Sequence, residues 1–216
     1  MQHYGLPTRI LDITSNPLVA LYFACCDHPK TNGEVLVFKI PKKEIKYFDS
    51  DTVSILSNLA KRPLTFDLSD AFRQSQHPEF TRYLPPPYDS VIDWFNQQGQ
   101  IPYLLHEIRE EKPYFLPIID PNDLDRVLAV RVKLNNSRIV KQAGAFLLFG
   151  IHEKKADPAT LPNEWILNKS FEHYDLQIDA AHKKAIMKDL DALGFNEGIL
   201  FPELEKQAKY IKELFS

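Results

Sequence analysis

Residues 2–17 read Gln-His-Tyr-Gly-Leu-Pro-Thr-Arg-Ile-Leu-Asp-Ile-Thr-Ser-Asn-Pro, and residues 18–26 continue as an uninterrupted run of apolar residue types. Ser15 or Asn16 can cap a helix that begins at Pro17, because proline at the first helical position lacks only an N–H group that would be unpaired there. The run that follows is apolar on nearly every side. We therefore predict a buried helix rather than an amphipathic one.

Other elements follow from hydrophobic periodicity and from residues that end helices and strands. Strands are predicted at residues 34–40, 126–134, 145–151 and 170–178, and helices at residues 51–62, 65–76, 100–111, 179–193 and 202–215. These helices and strands are interleaved irregularly rather than as a regular βαβ series. We predict a single α+β domain over residues 1–216, in which helices pack around a mixed or antiparallel β-sheet.

Composition excludes several classes of protein. The 216 residues include 26 Lys and Arg against 29 Asp and Glu, spread evenly, so neither half has the basic excess typical of nucleic-acid binding. The longest apolar run has nine residues, whereas a membrane-spanning helix needs about 20, so no membrane partner is expected. The two cysteines are adjacent, at Cys25 and Cys26, and have no metal-ligand spacing. We expect a cytoplasmic protein without a bound metal.

Two interpretations of the polar segment remain open from its residue types. In the structural one, Asp12 and Thr14 accept hydrogen bonds from main-chain donors while Arg9 pairs with Asp12. In the functional one, the helix that starts at Pro17 offers free N–H groups and the positive end of its dipole to an anion or nucleotide. Arg9 and His3 would then add further donors.

The segment from Gln2 to Ala24 resembles the central motif of the FRG domain, a bacterial and phage family, which runs approximately Q-H-x-G-x-P-T-R-L-L-D-x-T-x-N-P-x-x-A-L-x-F-A. Ile10 replaces a usual leucine, and Ile13 stands where an aromatic residue is frequent. Residues 138–146 resemble the family's R-x-x-x-Q-x-G-x-F motif, and residues 198–204 resemble its closing L-F-P-x-L. The Phe-Arg-Gly motif that names the family lies upstream of the central one and has no counterpart here. We therefore expect a cleft that lacks one wall and is better suited to binding than to catalysis.

The order of motifs is also similar to that of ADP-ribosyltransferases, which implies a cleft that holds NAD. On this resemblance His3 would bond a ribose hydroxyl, Tyr4 would stack on the base, and Arg9 would pair with the pyrophosphate. The nucleotide-binding set implied in this way also includes Asp12 and Asn16.

The same resemblance implies two catalytic residues. Thr14 would line the nicotinamide pocket, and Gln142 would stand in place of the usual glutamate and bond a ribose hydroxyl. An amide cannot act as a general base, so transfer is disfavoured relative to NAD hydrolysis or binding alone.

Two functional hypotheses follow. The first is an NAD-binding, ADP-ribosyltransferase-like or NAD-cleaving domain of a bacterial or phage defence or toxin system. The alternative is a non-catalytic module that binds a ligand or a protein partner.

Overall fold

The computed structural model describes residues 8–133, 135–167 and 176–215, and it has both helices and β-sheets. Four strands form one mixed sheet in the order β1-β5-β4-β3, namely β1 (Ile10–Thr14), β3 (Ile45–Tyr47), β4 (Val127–Arg131) and β5 (Gly144–Phe149). A second sheet pairs β2 (Gly33–Val35) antiparallel with β6 (Leu176–Ile178), and Gly33 lies opposite Ile178. The predicted α+β class is confirmed.

The chain divides into two compact units, which we call the first and second units. The first unit comprises Met1–Leu11, Lys43–Val130 and Leu147–Leu161, and the second comprises Asp12–Lys42, Arg131–Phe146 and Pro162–Ser216. Strands β1, β4 and β5 each contribute residues to both units. The single domain over residues 1–216 stays a prediction.

Helices of the first unit bury a core of large apolar side chains. The unit contains α2 (Asp51–Asn58), α3 (Ser69–Ser75), α4 (Pro78–Arg82), α5 (Val91–Phe95), α6 (Ile101–Glu111) and α7 (Pro121–Leu124). The predicted helix at residues 100–111 is α6, and its apolar stripe of Ile101, Leu104, Leu105 and Ile108 is buried as helical spacing requires. Phe66 and Phe95 are fully buried in the same unit.

The second unit is built around the first predicted helix. It contains α1 (Pro17–Cys26), α8 (Ser137–Lys141), α9 (Lys183–Ala192), α10 (Glu197–Leu200) and α11 (Leu204–Leu214). Val19 and Tyr22 of α1 pack with Leu190 and Leu200 in a buried cluster. Gly194 follows α9 with φ +85°, the left-handed conformation that a glycine after a helix adopts without steric cost.

Several predicted elements are longer than the observed ones. Of the strand predicted over residues 34–40, only residues 34 and 35 belong to β2; Leu36 and Val37 are exposed, and Phe38 makes an isolated bridge to Ile166. The strand predicted at 170–178 is observed from Leu176, and residues 170–175 lie outside the described residues. At residues 36–40 the high apolar content therefore overestimated the strand length, because the main chain there does not continue the pairing of β2 with β6.

Across the described ranges, every helix is too short or too polar to traverse a lipid bilayer.

Candidate functional site

The structure distributes the predicted site residues over different parts of the chain. His3 and Tyr4 lie outside the described residues. Arg9 belongs to the first unit, and the other four residues, Asp12, Thr14, Asn16 and Gln142, belong to the second. The structure brings three of these together, namely Thr14, Asn16 and Gln142.

Thr14 and Gln142 are joined directly. The Thr14 hydroxyl donates to the main-chain carbonyl of Gln142 at 2.7 Å and accepts the N–H of Asn16 at 3.0 Å. The Gln142 side-chain amide in turn donates from Nε2 to the carbonyl of Leu200 at 3.0 Å. Both side chains are thus engaged in joining separate stretches of main chain within the second unit.

A strained turn places the Gln142 carbonyl in this position. Gln142 ends α8, where its N–H donates to Arg138, and the next residue, Ala143, has φ +46°. A non-glycine residue in this left-handed region costs about 1–2 kcal/mol. The Ala143 carbonyl accepts the N–H of Ser15 at 3.1 Å, which helps to hold the turn against the end of β1.

Asn16 is the N-cap of α1, because its Oδ1 accepts the N–H of Leu18 at 2.9 Å. The cap and the helix start at Pro17 are therefore confirmed. Asp12 lies within β1 with an exposed side chain. Thr14 thus accepts a main-chain N–H as the structural interpretation of the segment expected.

Arg9 is held by main-chain carbonyls of the first unit. Its Nη1 donates to the carbonyl of Gly150 at 3.1 Å, and its Nη2 donates to the carbonyl of Lys155. Both acceptors are carbonyls, not the Asp12 carboxylate that the structural interpretation proposed. Burial lowers the pKa of Arg9 from its usual value.

Sequence reasoning missed two further cations that belong with Arg9. The Lys155 ammonium donates to the carbonyls of Ala60, at 2.8 Å, and of Arg62. Burial, followed by the charges of Arg9 and Arg62, lowers the pKa of Lys155. We call Arg9, Arg62 and Lys155 the cation cluster. No spacing signal could have indicated it, because its members are 53 and 93 residues apart in sequence.

One member of the cation cluster has an acidic partner and an unused donor. Arg62 forms an ion pair with Glu107 at 3.0 Å, and its guanidinium lies 5.6 Å from the ring centroid of Tyr103. Its Nε is buried without a hydrogen-bond partner among the residues that the structure describes. Because this Nε is buried, the donors left for a negatively charged group are those of Arg9 and Lys155 beyond their bonds to main-chain carbonyls.

A pocket of about 730 Å³ lies elsewhere in the first unit. Arg126 lines it and donates to Glu44 at 2.7 Å and to Asp123 at 2.6 Å, so its single positive charge is already paired with two carboxylates. His152 and Asp125 also line the pocket. Over the described ranges, no three His, Cys, Asp or Glu side chains are grouped closely enough to hold a metal ion.

Comparison with known proteins agrees with the opening motif. The model of the FRG domain matches residues 1–33, and the resemblance predicted from the sequence is confirmed over that segment. No curated protein and no solved structure showed significant similarity to the chain.

Proposed function

We propose that the chain is an FRG-type module that binds a phosphate-bearing nucleotide such as NAD and does not cleave it. The observation that carries this proposal is the cation cluster. Lys155 lies near the like charges of Arg9 and Arg62, and of these two arginines Arg62 is paired with Glu107 whereas Arg9 donates to main-chain carbonyls. A bound phosphate would offset this repulsion, because attraction between opposite charges grows where solvent screening is reduced.

Arg9 gives the proposal its link to the FRG motif. The guanidinium keeps donors beyond the two that bond Gly150 and Lys155, since an arginine side chain carries five N–H groups. Arginine binds phosphate well because its planar donors match two phosphate oxygens. Arg9 would thus position the main chain around Lys155 and also contact the ligand.

The absence of cleavage in this proposal rests on Thr14 and Gln142. The Thr14 hydroxyl donates its proton to the main-chain carbonyl of Gln142, and the side-chain amide N–H of Gln142 donates to the carbonyl of Leu200. In this arrangement neither side chain could act as a general base that takes a proton from water or from an acceptor substrate. The competing candidate, an ADP-ribosyltransferase-like or NAD-cleaving domain, would need both groups to exchange these partners for substrate.

The cellular setting also remains a proposal. A bacterial or phage defence or toxin system is what the FRG resemblance implies, and a protein partner would be compatible with a binding module. Cys25 and Cys26 are free thiols, which supports a reducing compartment such as the cytoplasm.

The test of binding is a thermal-shift titration with NAD and, separately, with inorganic pyrophosphate. A ligand at about 100 times its dissociation constant stabilises the folded state by about 2.7 kcal/mol, which raises the melting temperature measurably. Lys155→Gln should remove the shift because it removes a charge and keeps a donor, whereas Lys155→Arg should retain it. Lys154→Gln is the matched control, since the neighbouring Lys154 pairs with Asp67 at 3.1 Å.

The outcomes separate the hypotheses. If neither NAD nor pyrophosphate shifts the melting temperature of the unmodified chain, or if Lys155→Gln keeps the full shift, the nucleotide-binding proposal is wrong. Mass spectrometry of the same NAD incubation should detect no released nicotinamide and no added mass on the protein. Release of nicotinamide that disappears in Gln142→Ala would instead establish the NAD-cleaving candidate.

A further inference from the structure

Three main-chain segments lie side by side next to the pocket of the first unit. The N–H of Gly150 donates to Arg126 at 2.9 Å, and the N–H of Ile151 donates to Leu124 at 2.8 Å. The Gly150 carbonyl then accepts the N–H of Ala159 at 3.0 Å. Side chains that project from these segments are consequently held at fixed separations.

Three such side chains form a hydrogen-bonded chain. Asp125 Oδ1 lies 2.7 Å from His152 Nδ1, and His152 Nε2 lies 3.2 Å from the hydroxyl oxygen of Thr160. In the neutral tautomer that carries its proton on Nδ1, the ring donates to the Asp125 carboxylate and Nε2 can accept the threonine hydroxyl proton. This is the arrangement of an orienting carboxylate, a general base and a hydroxyl nucleophile.

We propose that Asp125, His152 and Thr160 form an acyl-transfer site for small carboxylic esters, distinct from the nucleotide-binding role proposed above. Thr160 and His152 would be the catalytic residues. Asp125 would be a positioning residue, because it acts on the imidazole and not on the substrate.

The steps balance without any further reactant than water. His152 Nε2 takes the hydroxyl proton while the Thr160 oxygen forms a bond to the ester carbonyl carbon. The C–O bond to the alcohol then breaks, and the departing alcohol receives the proton from His152. Water, deprotonated by the same imidazole, next attacks the acyl-threonine and releases the carboxylic acid, which restores the threonine hydroxyl.

The pocket gives the acyl group or the alcohol a place beside the imidazole of His152, to which Thr160 is hydrogen-bonded from outside the pocket lining. Asp125 and His152 both line it, together with the apolar ring of Phe72 and the amides of Gln76 and Asn122. Its volume of about 730 Å³ is within the range of small-molecule sites. The side chains of His152 and Asp125 are 38% and 45% exposed, so the water needed for deacylation has access.

The charges around the pocket disfavour an anionic substrate. Arg126 pairs with Glu44 and Asp123, and the other charged lining residues are Arg73, Asp125 and Glu153, so acidic groups outnumber basic ones. An anionic ester would meet this excess of like charge and lose its hydration without a dedicated partner. Short acyl esters of small neutral alcohols or phenols fit this balance.

The experiment measures hydrolysis of 4-nitrophenyl acetate by the full chain, together with labelling by a fluorophosphonate probe. We expect one probe per chain, located on Thr160 by peptide mass mapping. Thr160→Val should abolish labelling, and His152→Gln should lower the rate about 10²–10⁴-fold, as removal of a general base does. Thr160→Ser should retain both the probe labelling and the ester hydrolysis, because serine supplies the same hydroxyl.

Controls distinguish this site from ordinary surface imidazole chemistry. His77→Gln is the matched control, since His77 is an exposed histidine of the same unit. Asp125→Asn should lower the rate and also change its pH profile, which a merely structural carboxylate would not do. Thr160→Val replaces an exposed residue by one of the same shape, so it tests the site even if His152→Gln impairs folding.

The proposal is overturned if the probe labels another residue or no residue, or if Thr160→Val hydrolyses the ester as fast as the unmodified chain. It is equally overturned if His77→Gln lowers the rate as much as His152→Gln does.

Discussion

Gly150 should tolerate no side chain, because a close main-chain approach fills the space that a Cβ atom would occupy. A Cβ built on Gly150 lies 1.9 Å from the carbonyl oxygen of Leu124 and 2.9 Å from that of Arg126. Contacts under 3.0 Å are essentially never made by real Cβ atoms, so Gly150→Ala requires the segments to separate by at least 1.1 Å, the difference between 3.0 and 1.9 Å. The perturbation is therefore a steric one that acts on the main chain.

The expected magnitude follows from what this separation disrupts. Overpacking of a buried position costs about 1–3 kcal/mol. The same displacement weakens the hydrogen bonds from Gly150 to Arg126 and from Ile151 to Leu124, and each is worth about 1 kcal/mol net. We expect Gly150→Ala to lower the free energy of unfolding of the first unit by about 3–5 kcal/mol.

Gly99→Ala is the matched control in the same unit. Gly99 has φ +48°, but a Cβ there has no heavy atom within 4 Å, so only the left-handed conformation opposes alanine. That strain costs about 1–2 kcal/mol. Urea unfolding followed by far-UV circular dichroism compares the two variants by linear extrapolation. The steric argument is refuted if Gly150→Ala is no less stable than Gly99→Ala.

Three further predictions concern single hydrogen-bonded side chains. Asn16→Ala should lower the free energy of unfolding by about 1 kcal/mol in urea, because it removes the N-cap of α1, and Asn16→Asp should restore most of this loss. Gln142→Ala should cost about 1 kcal/mol in the same assay by unpairing the Leu200 carbonyl, and should leave the NAD-induced melting shift intact. Hydrogen bonds from the Ser69 hydroxyl and N–H, with a smaller contribution from Lys154, lower the pKa of Asp67 to about 2. A depressed carboxyl pKa stabilises the folded state above the unfolded value of about 4, and this contribution is lost as the pH falls to about 2. Asp67→Asn should thus lower the melting temperature at neutral pH, and a difference that persisted undiminished near pH 2 would contradict this assignment.

Residues close together in sequence were sufficient to predict the helices whose ends are marked by capping residues or by proline. The start of α1 follows from Asn16 and Pro17, and the buried stripe of α6 follows from apolar spacing, because both depend on neighbours within a few residues. The predictions of strands were less accurate than those of helices. The segment Ile10–Thr14 suggested a turn or a ligand site and is instead β1, since its pairing with β5 joins residues at least 130 positions apart.

The contacts of the candidate site could be predicted only where both partners stand close in sequence. The bond from Asn16 N to Thr14 is local, and the motif indicated it. The acceptors of Arg9, at Gly150 and Lys155, are 141 and 146 residues away, and no pattern in the opening segment specifies them. His152 gave no signal either, because its partners Asp125 and Thr160 have no characteristic spacing from it.

The two proposals depend on one segment, residues 147–161, through different side chains. Lys155 donates to Ala60 and Arg62, whereas His152 bonds Asp125 and Thr160, so the two sets of hydrogen bonds have no side chain in common. Lys155→Gln should then leave ester hydrolysis unchanged, and Thr160→Val should leave the NAD-induced shift unchanged. Both sets nevertheless meet at the Gly150 carbonyl, which accepts from Arg9 and from the N–H of Ala159. Displacement of the main chain in Gly150→Ala should therefore impair both NAD binding and ester hydrolysis. Lys155→Gln and Thr160→Val should each impair only one of the two.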